Sequence, residues 1–152
     1  LRDMGAEAFL LVSTLKVVVG QRLVRKLCRD KEEYKLNKAE LEELKRSVDL
    51  DRVLAVLREE KLVDPKADWS DIPFYRAKPS AECEDGFSGR VGIHEILQVS
   101  PTIRELIIKD SGADVIEEQA KKEGMMTMLE DGIAKAVQGV TTIEEVLRVV
   151  SE

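Results

Sequence analysis

The segment ECEDGFSGRVGIHEIL, Glu82 to Leu97, gathers most of the residue types in this chain that could do chemistry. It holds Cys83, one of two cysteines, and the single histidine, His94, 11 positions later, with three glycines and Arg90 between them. Three chemistries use such residues: metal binding, nucleophilic catalysis, and a plain turn between strands. Structural zinc takes four Cys or His ligands, usually in closely spaced pairs. Cys28 has Lys31, not cysteine, three positions on, and Cys83 and His94 are equally isolated. A metal would need three distant ligands and a carboxylate, so the plainer reading is two small buried thiols and no metal site. A nucleophilic Cys–His couple would need Cys28 or Cys83 beside His94, which nothing in the spacing arranges, and no G-x-S-x-G elbow is present. His94 reads as a packed or surface histidine, and no catalytic residue is assigned.

Phosphate chemistry is narrowed by an absence. None of the nine glycines is followed by lysine, so there is no G-x-x-x-x-G-K-[ST] loop, and G-x-G-x-x-G is missing too. The 152 residues carry a net charge of −6, which argues against a general grip on nucleic acid. Two cysteines with 54 residues between them make no disulfide framework and point to a reducing compartment. The most apolar run, AFLLVSTLKVVVG, is broken by Lys16 and is too short to span a bilayer. The chain opens on Leu1, and the expectation is a piece of a larger protein.

The elements that must position these residues differ along the chain. Residues 5–28 read as one long helix or two short ones; Leu23 and Leu27 share a helical face, and Val17-Val18-Val19 leaves a strand open. In residues 29–66, 21 of 38 side chains are charged. Two helices are predicted there. Asn37 caps the first, with Glu40 completing a capping box and Leu36 and Leu41 a hydrophobic staple. Asp49 caps the second, which is apolar at Leu50, Val53, Leu54 and Leu57. These charged faces read as solvated surface or as a partner surface. IPFYRAKP and GRVGIHEIL read as two short strands in a small antiparallel pairing or meander, with Gly86 and Gly89 supplying the backbone freedom of a turn. From Ser100, an N-cap followed by proline at N1, about four short helices are predicted. Thr127 with Glu130 and Thr141 with Glu144 have capping-box spacing, and Gly124 and Gly139 fit as helix-ending residues. Met125, Met126 and Met128 suit a core or an adaptable contact surface.

Three segments taken together resemble a known family. MGAEAFLLVSTLKVVVGQRLVRKLC looks like the helix region after the Walker B and histidine-box elements of type II secretion and type IV pilus assembly ATPases. GFSGRVGIHEIL resembles that family's glycine-arginine hairpin. PTIRELI and EGMMTMLEDGIAKAVQGVTTIEEVLRVVSE resemble its carboxyl-terminal helices. The resemblance implies the carboxyl-terminal part of a RecA-like ATPase, α+β and mostly helical. One domain would comprise a helix over 1–28, a charged helical insertion over 29–80, a β hairpin over 81–98, and helices over 99–152. It implies a parent that is a cytoplasmic homo-hexamer binding ATP and magnesium. That parent would be joined through partners to the inner-membrane platform of a pilus or secretion apparatus, with no nucleic-acid partner. No cofactor belongs to this portion itself, which is expected to be inactive alone. A self-standing helical interaction module derived from that region is the alternative.

The resemblance also gives roles to arginines. The family's counterpart of Arg90 lies near the bound adenine, although Arg90 could instead pair with a carboxylate beside the hairpin. Arg22 and Arg25 face either the core domain or a neighbouring subunit, or simply solvent. Many members carry a zinc knuckle of two C-x-x-C pairs. Here the first pair keeps only Cys28 and the second only Cys83, one position out of register. The expectation is that metal is lost and that packing replaces it, among Leu36, Leu41, Leu44, Val53, Leu54, Leu57, Trp69 and Phe74.

Overall fold

A computed structural model describes residues 12–151. The elements, in chain order, are β1 (Val17–Leu27), β2 (Lys31–Lys35), α1 (Lys38–Ser47), α2 (Leu50–Glu59), β3 (Pro73–Ala77), β4 (Phe87–Gln98), α3 (Pro101–Ile108), α4 (Ala113–Lys122), α5 (Met128–Val137) and α6 (Ile143–Ser151). The architecture is α+β, with helices and two small antiparallel sheets, β1–β4 and β2–β3. The chain divides into two compact units. One reaches Gly20 and includes Glu95–Thr127; the other holds Gln21–His94 and the residues from Met128 on.

Two expectations about strands are corrected. The helix read over residues 5–28 is a strand from Val17 onward, with only residues 12–14 helical before it; residues 1–11 lie outside the described part. β-branched Val17, Val18 and Val19 favour the pleated backbone, and pairing with β4 decides the matter. Nor do IPFYRAKP and GRVGIHEIL form a hairpin with each other. β3 pairs instead with β2, from Lys31 opposite Ala77 to Lys35 opposite Pro73. β4 pairs with β1. The Cys28 N–H donates to the Gly86 carbonyl (3.0 Å) at one end of this pair, and the Val99 N–H to the Lys16 carbonyl (2.8 Å) at the other.

In the larger unit the predicted caps form. The Asn37 side chain accepts from the Ala39 and Glu40 backbones while Glu40 accepts from the Asn37 N–H, a complete capping box. Asp49 caps α2 by accepting from the Arg52 N–H at 3.1 Å. The two helices bury Leu44, Val53 and Leu57 against Trp69, Ile72 and Phe74 of the β3 side. The Trp69 ring stacks on Phe74 with centroids 6.5 Å apart. Leu36, Leu41 and Leu54 pack at the edge of this cluster, half-buried.

The insertion does not close on itself as the sequence suggested. Its cluster continues into Ile133, Ala134, Ala136 and Val137 of α5 and Ile143 of α6. Polar ties reinforce the junction: Arg52 donates to the buried carboxylate of Glu130, and the Lys31 Nζ donates to the Gly139 carbonyl at 2.6 Å. Gly139 has φ +68°, and a Cβ there would lie 2.9 Å from the Tyr75 ring, so the turn between α5 and α6 has room for glycine alone. A second cluster, Val24, Ile93 and Val149, seats α6 on β1 and β4.

The cysteines are the third correction. Read as separate thiols, Cys28 and Cys83 form a disulfide, with Cα atoms 6.6 Å apart. Sequence separation gave no hint because the partners are brought together by the β1–β4 ladder: Cys28 follows the last residue of β1, and Cys83 precedes the first of β4 by four positions.

In the smaller unit, Ser100 caps α3 by accepting from the Ile103 N–H at 3.1 Å. Val99, Ile103, Ala120 and Met125 form its core, with Leu106, Ile107 and Ile116 at the margin. Met125 therefore fills this core, and Met128 packs beside Val24 and Ile93 in the other unit.

The shared core makes a graded prediction. Leu57, fully buried, should cost about 3–4 kcal/mol when replaced by alanine. Leu54→Ala, half-buried, should cost about 1–2 kcal/mol. Urea denaturation checks both, and equal losses would contradict the packing described.

Candidate functional site: an arginine cleft

On the larger unit, Arg22, Leu23 and Arg25 of β1, Arg90 of β4, and Arg148 and Val149 of α6 line one cleft of about 500 Å³. The three arginines singled out in the sequence are thus brought together, and a fourth, Arg148, joins them. Four guanidiniums around one cavity stand out on a chain of net charge −6.

Arg25 is the best anchored of the four. Its backbone N–H donates to Glu145 Oε2 at 3.1 Å, and its guanidinium donates to Glu145 Oε1 at 2.7 Å. Its carbonyl accepts from the Thr141 hydroxyl at 2.8 Å. The guanidinium also lies 4.1 Å from the Phe87 ring centroid and 3.6 Å from Asp85. Arg148 shares the same carboxylate at 3.1 Å. The α6 cap explains how Glu145 becomes available. Thr142, not the expected Thr141, receives the Glu145 N–H (3.2 Å), so Glu145 sits at N3. Its side chain turns across to β1 instead of closing a box, and Thr141 is left to hold Arg25.

Electrostatics follow the geometry. Hydrogen bonds from Arg25 hold the Glu145 carboxyl down at about 2, against the penalty of burial. The same contact raises Arg25 above its ordinary value. Arg22 donates to the Val149 carbonyl in the last turn of α6, where a cation complements the helix dipole. Among the described residues, neither Arg22 nor Arg90 has a carboxylate partner, and Arg90 is exposed. Among the described residues, the cleft therefore presents two guanidiniums without a carboxylate partner beside two that are partly neutralised. Planar, forked donors of this kind suit carboxylate or phosphate oxygens.

His94 lies elsewhere. Its backbone N–H donates to Asp131 at 2.8 Å and its ring is 3.8 Å from the same carboxylate. The knuckle position does not suit zinc. Two sulfurs are spent on each other, the Lys31 ammonium is turned to Gly139, and the Ser80 hydroxyl, three residues before Cys83, is buried without a hydrogen-bond partner. Tetrahedral zinc asks for four thiolate or imidazole donors. Among the described residues, no group of three or more His, Cys, Asp or Glu is placed to hold a metal.

Glu145 makes stability depend on acid. A depressed carboxyl contributes fully above its unfolded value of 4.5, and the contribution is lost as pH falls toward about 2. Half-exposed Arg25 lets solvent screen the pair, which leaves about 2–3 kcal/mol. Stability measured from pH 6 to pH 2 should fall by that amount more in the parent chain than in Glu145→Gln. Parallel curves would contradict the anchor.

Comparison with known proteins gives the family. The sequence model of the type II/IV secretion system proteins matches residues 1–148. The type II secretion system protein E of Xanthomonas campestris is 39% identical over the whole chain, and the type II secretion system ATPase E of Vibrio cholerae 37%. The type IV pilus assembly ATPase PilB of Pseudomonas aeruginosa is 31% identical, again across the whole chain. The chain spans about a quarter of the length of these relatives (24%, 26% and 24%). Among the described residues, no helix is long and apolar enough to cross a membrane. A match across nearly the entire sequence establishes that this chain belongs to the type II/IV secretion system protein family.

Proposed function

We propose that this chain is the carboxyl-terminal region of a hexameric ATPase that drives type II protein secretion or type IV pilus assembly. Its arginine cleft is the surface that meets negative charge in the assembled enzyme, at the nucleotide or on a neighbouring subunit. The observation carrying this reading is the placing of Arg22 and Arg90, which have no carboxylate partner among the described residues, in one cleft with Arg25 and Arg148. Arg25 and Arg148 are accounted for by Glu145; for Arg22 and Arg90 an anionic partner gives the clustering a purpose.

Other features agree. The family's whole-length members named above are a secretion ATPase and a pilus assembly ATPase, and this chain matches about a quarter of each. It carries no phosphate-gripping loop, so ATP and magnesium belong to the upstream portion and hydrolysis requires it. β1 leaves Val17, Val18 and Val19 exposed, an apolar row that an upstream domain or neighbouring subunit would cover. In this reading the parent works on the cytoplasmic side of the inner membrane, through partners in the platform.

The test uses the longer protein. Arg22→Ala and Arg90→Ala should each raise the KM for ATP about tenfold or lower kcat comparably, the scale of one lost charge-assisted contact. The 152-residue chain alone should show no ATP turnover. Unchanged kinetics in the double variant would remove the cleft from the reaction. A reading frame with no G-x-x-x-x-G-K-[ST] upstream would return the chain to a self-standing interaction module.

A further inference from the structure

We propose that Cys28 and Cys83 form a reversible thiol–disulfide couple, and that its redox state sets how Arg25 is held in the cleft. The inference goes beyond the assignment to a motor and does not depend on what the cleft binds.

Reversibility follows from what surrounds the bond. The Cys28 N–H is tied to Gly86, and the Cys83 turn is closed by three backbone bonds. Ser80 N–H donates to the Cys83 carbonyl (2.9 Å), Cys83 N–H to the Ser80 carbonyl (3.2 Å), and Gly86 N–H to the Cys83 carbonyl (3.0 Å). The insertion is held independently by its shared core with α5 and α6. Opening the bond therefore leaves both sulfurs adjacent, at high effective concentration, ready to close again. Cys28 is half-buried and Cys83 buried, so an incoming thiolate reaches Cys28 first.

The reductant is a low-molecular-weight thiol. Its thiolate attacks the Cys28 sulfur, forming a mixed disulfide and expelling the Cys83 thiolate, which takes a proton from water. A second thiolate attacks the outer sulfur of the mixed disulfide, releasing the oxidised small disulfide and the Cys28 thiolate, which is protonated in turn. Two electrons pass from two small thiols to the protein, and oxidation runs the same steps backward.

The link to the cleft is short. Asp85 lies two residues after Cys83 and 3.6 Å from the Arg25 guanidinium. Phe87, two residues further, carries the same guanidinium on its ring. Arg25 itself is three residues before Cys28. The disulfide thus fixes both chains that frame Arg25. Reduction removes the covalent tie between the Cys83 turn and the end of β1 and so relaxes Asp85 against Arg25, while the turn keeps its backbone bonds and Glu145, on a different element, keeps its hold. The oxidised clasp keeps Asp85 on Arg25; the reduced one leaves the cleft with less neutralised charge.

The experiment equilibrates the full chain in buffers of reduced and oxidised glutathione, approached from both directions. Alkylation followed by mass measurement should add two groups per chain in the reduced buffer and none in the oxidised one, with a single midpoint. The Arg25 Nε–H resonance of nitrogen-labelled protein should shift between the two states. In Asp85→Asn it should shift less than half as far, and in Cys83→Ser not at all. Full alkylation in oxidising buffer, or a bond that opens only in denaturant, would overturn the couple. An Arg25 resonance unmoved by redox state would overturn the link. Uptake of one zinc per reduced chain, measured by metal analysis, would overturn a thiol–disulfide role for the pair.

Discussion

Glu145 is the point on which the arrangement turns. A carboxylate that is only 4% exposed reaches from the first turn of α6 and accepts both the backbone and the side chain of Arg25 on β1. A buried charge of this kind is tolerable only when fully partnered. The partnering fixes where α6 can sit. Thr141 adds a third bond to the same residue, and Leu27 donates to the Val140 carbonyl at 2.9 Å just beyond. With α6 pinned, Val149 meets Arg22, Arg148 faces the strands, and Arg90 on β4 completes the wall. The cleft is a consequence of docking a helix end onto a strand through a single acid.

The insertion is integrated with the carboxyl-terminal helices instead of appended to the chain. Phe74 and Leu57, both fully buried, touch a cluster that runs into α5 and α6. Lys31 secures the Gly139 turn from the insertion side, and Arg52 holds Glu130. The segment between β1 and β4 is ordered by an apolar face that α5 and α6 cover. The sulfur–sulfur link closes the neck of that segment, so the ordering has two independent sources.

Helix ends were the most legible part of the sequence. Asn37, Asp49 and Ser100 act locally, over three or four residues, and each forms the cap its spacing promised. Strand pairing was the least legible, because it joins residues far apart. β2 reads KEEYK, too charged to suggest a strand until β3 lies beside it. β1 carried its β-branched signal at Val17–Val19, but an apolar stretch of that length looked helical. The same blindness to distance hid the disulfide. Arg22, Arg25 and Arg90 of the candidate cleft are singled out by family resemblance. Arg148 and Glu145 were missed because, in sequence, they are ordinary charges three apart on a helix. Only the shift of the cap from Thr141 to Thr142 reveals why Glu145 points at β1.

The most direct test of this account is a double-mutant cycle between Arg25→Gln and Glu145→Gln, read by urea denaturation at neutral pH. Each single change removes the 2.7 Å contact and leaves its partner with only a weaker counterion, Arg148 or Asp85, so the pair should be non-additive, with a coupling of about 2 kcal/mol. Additive losses, with a coupling near zero, would mean that α6 is placed by apolar contact alone and that the cleft has no electrostatic keystone.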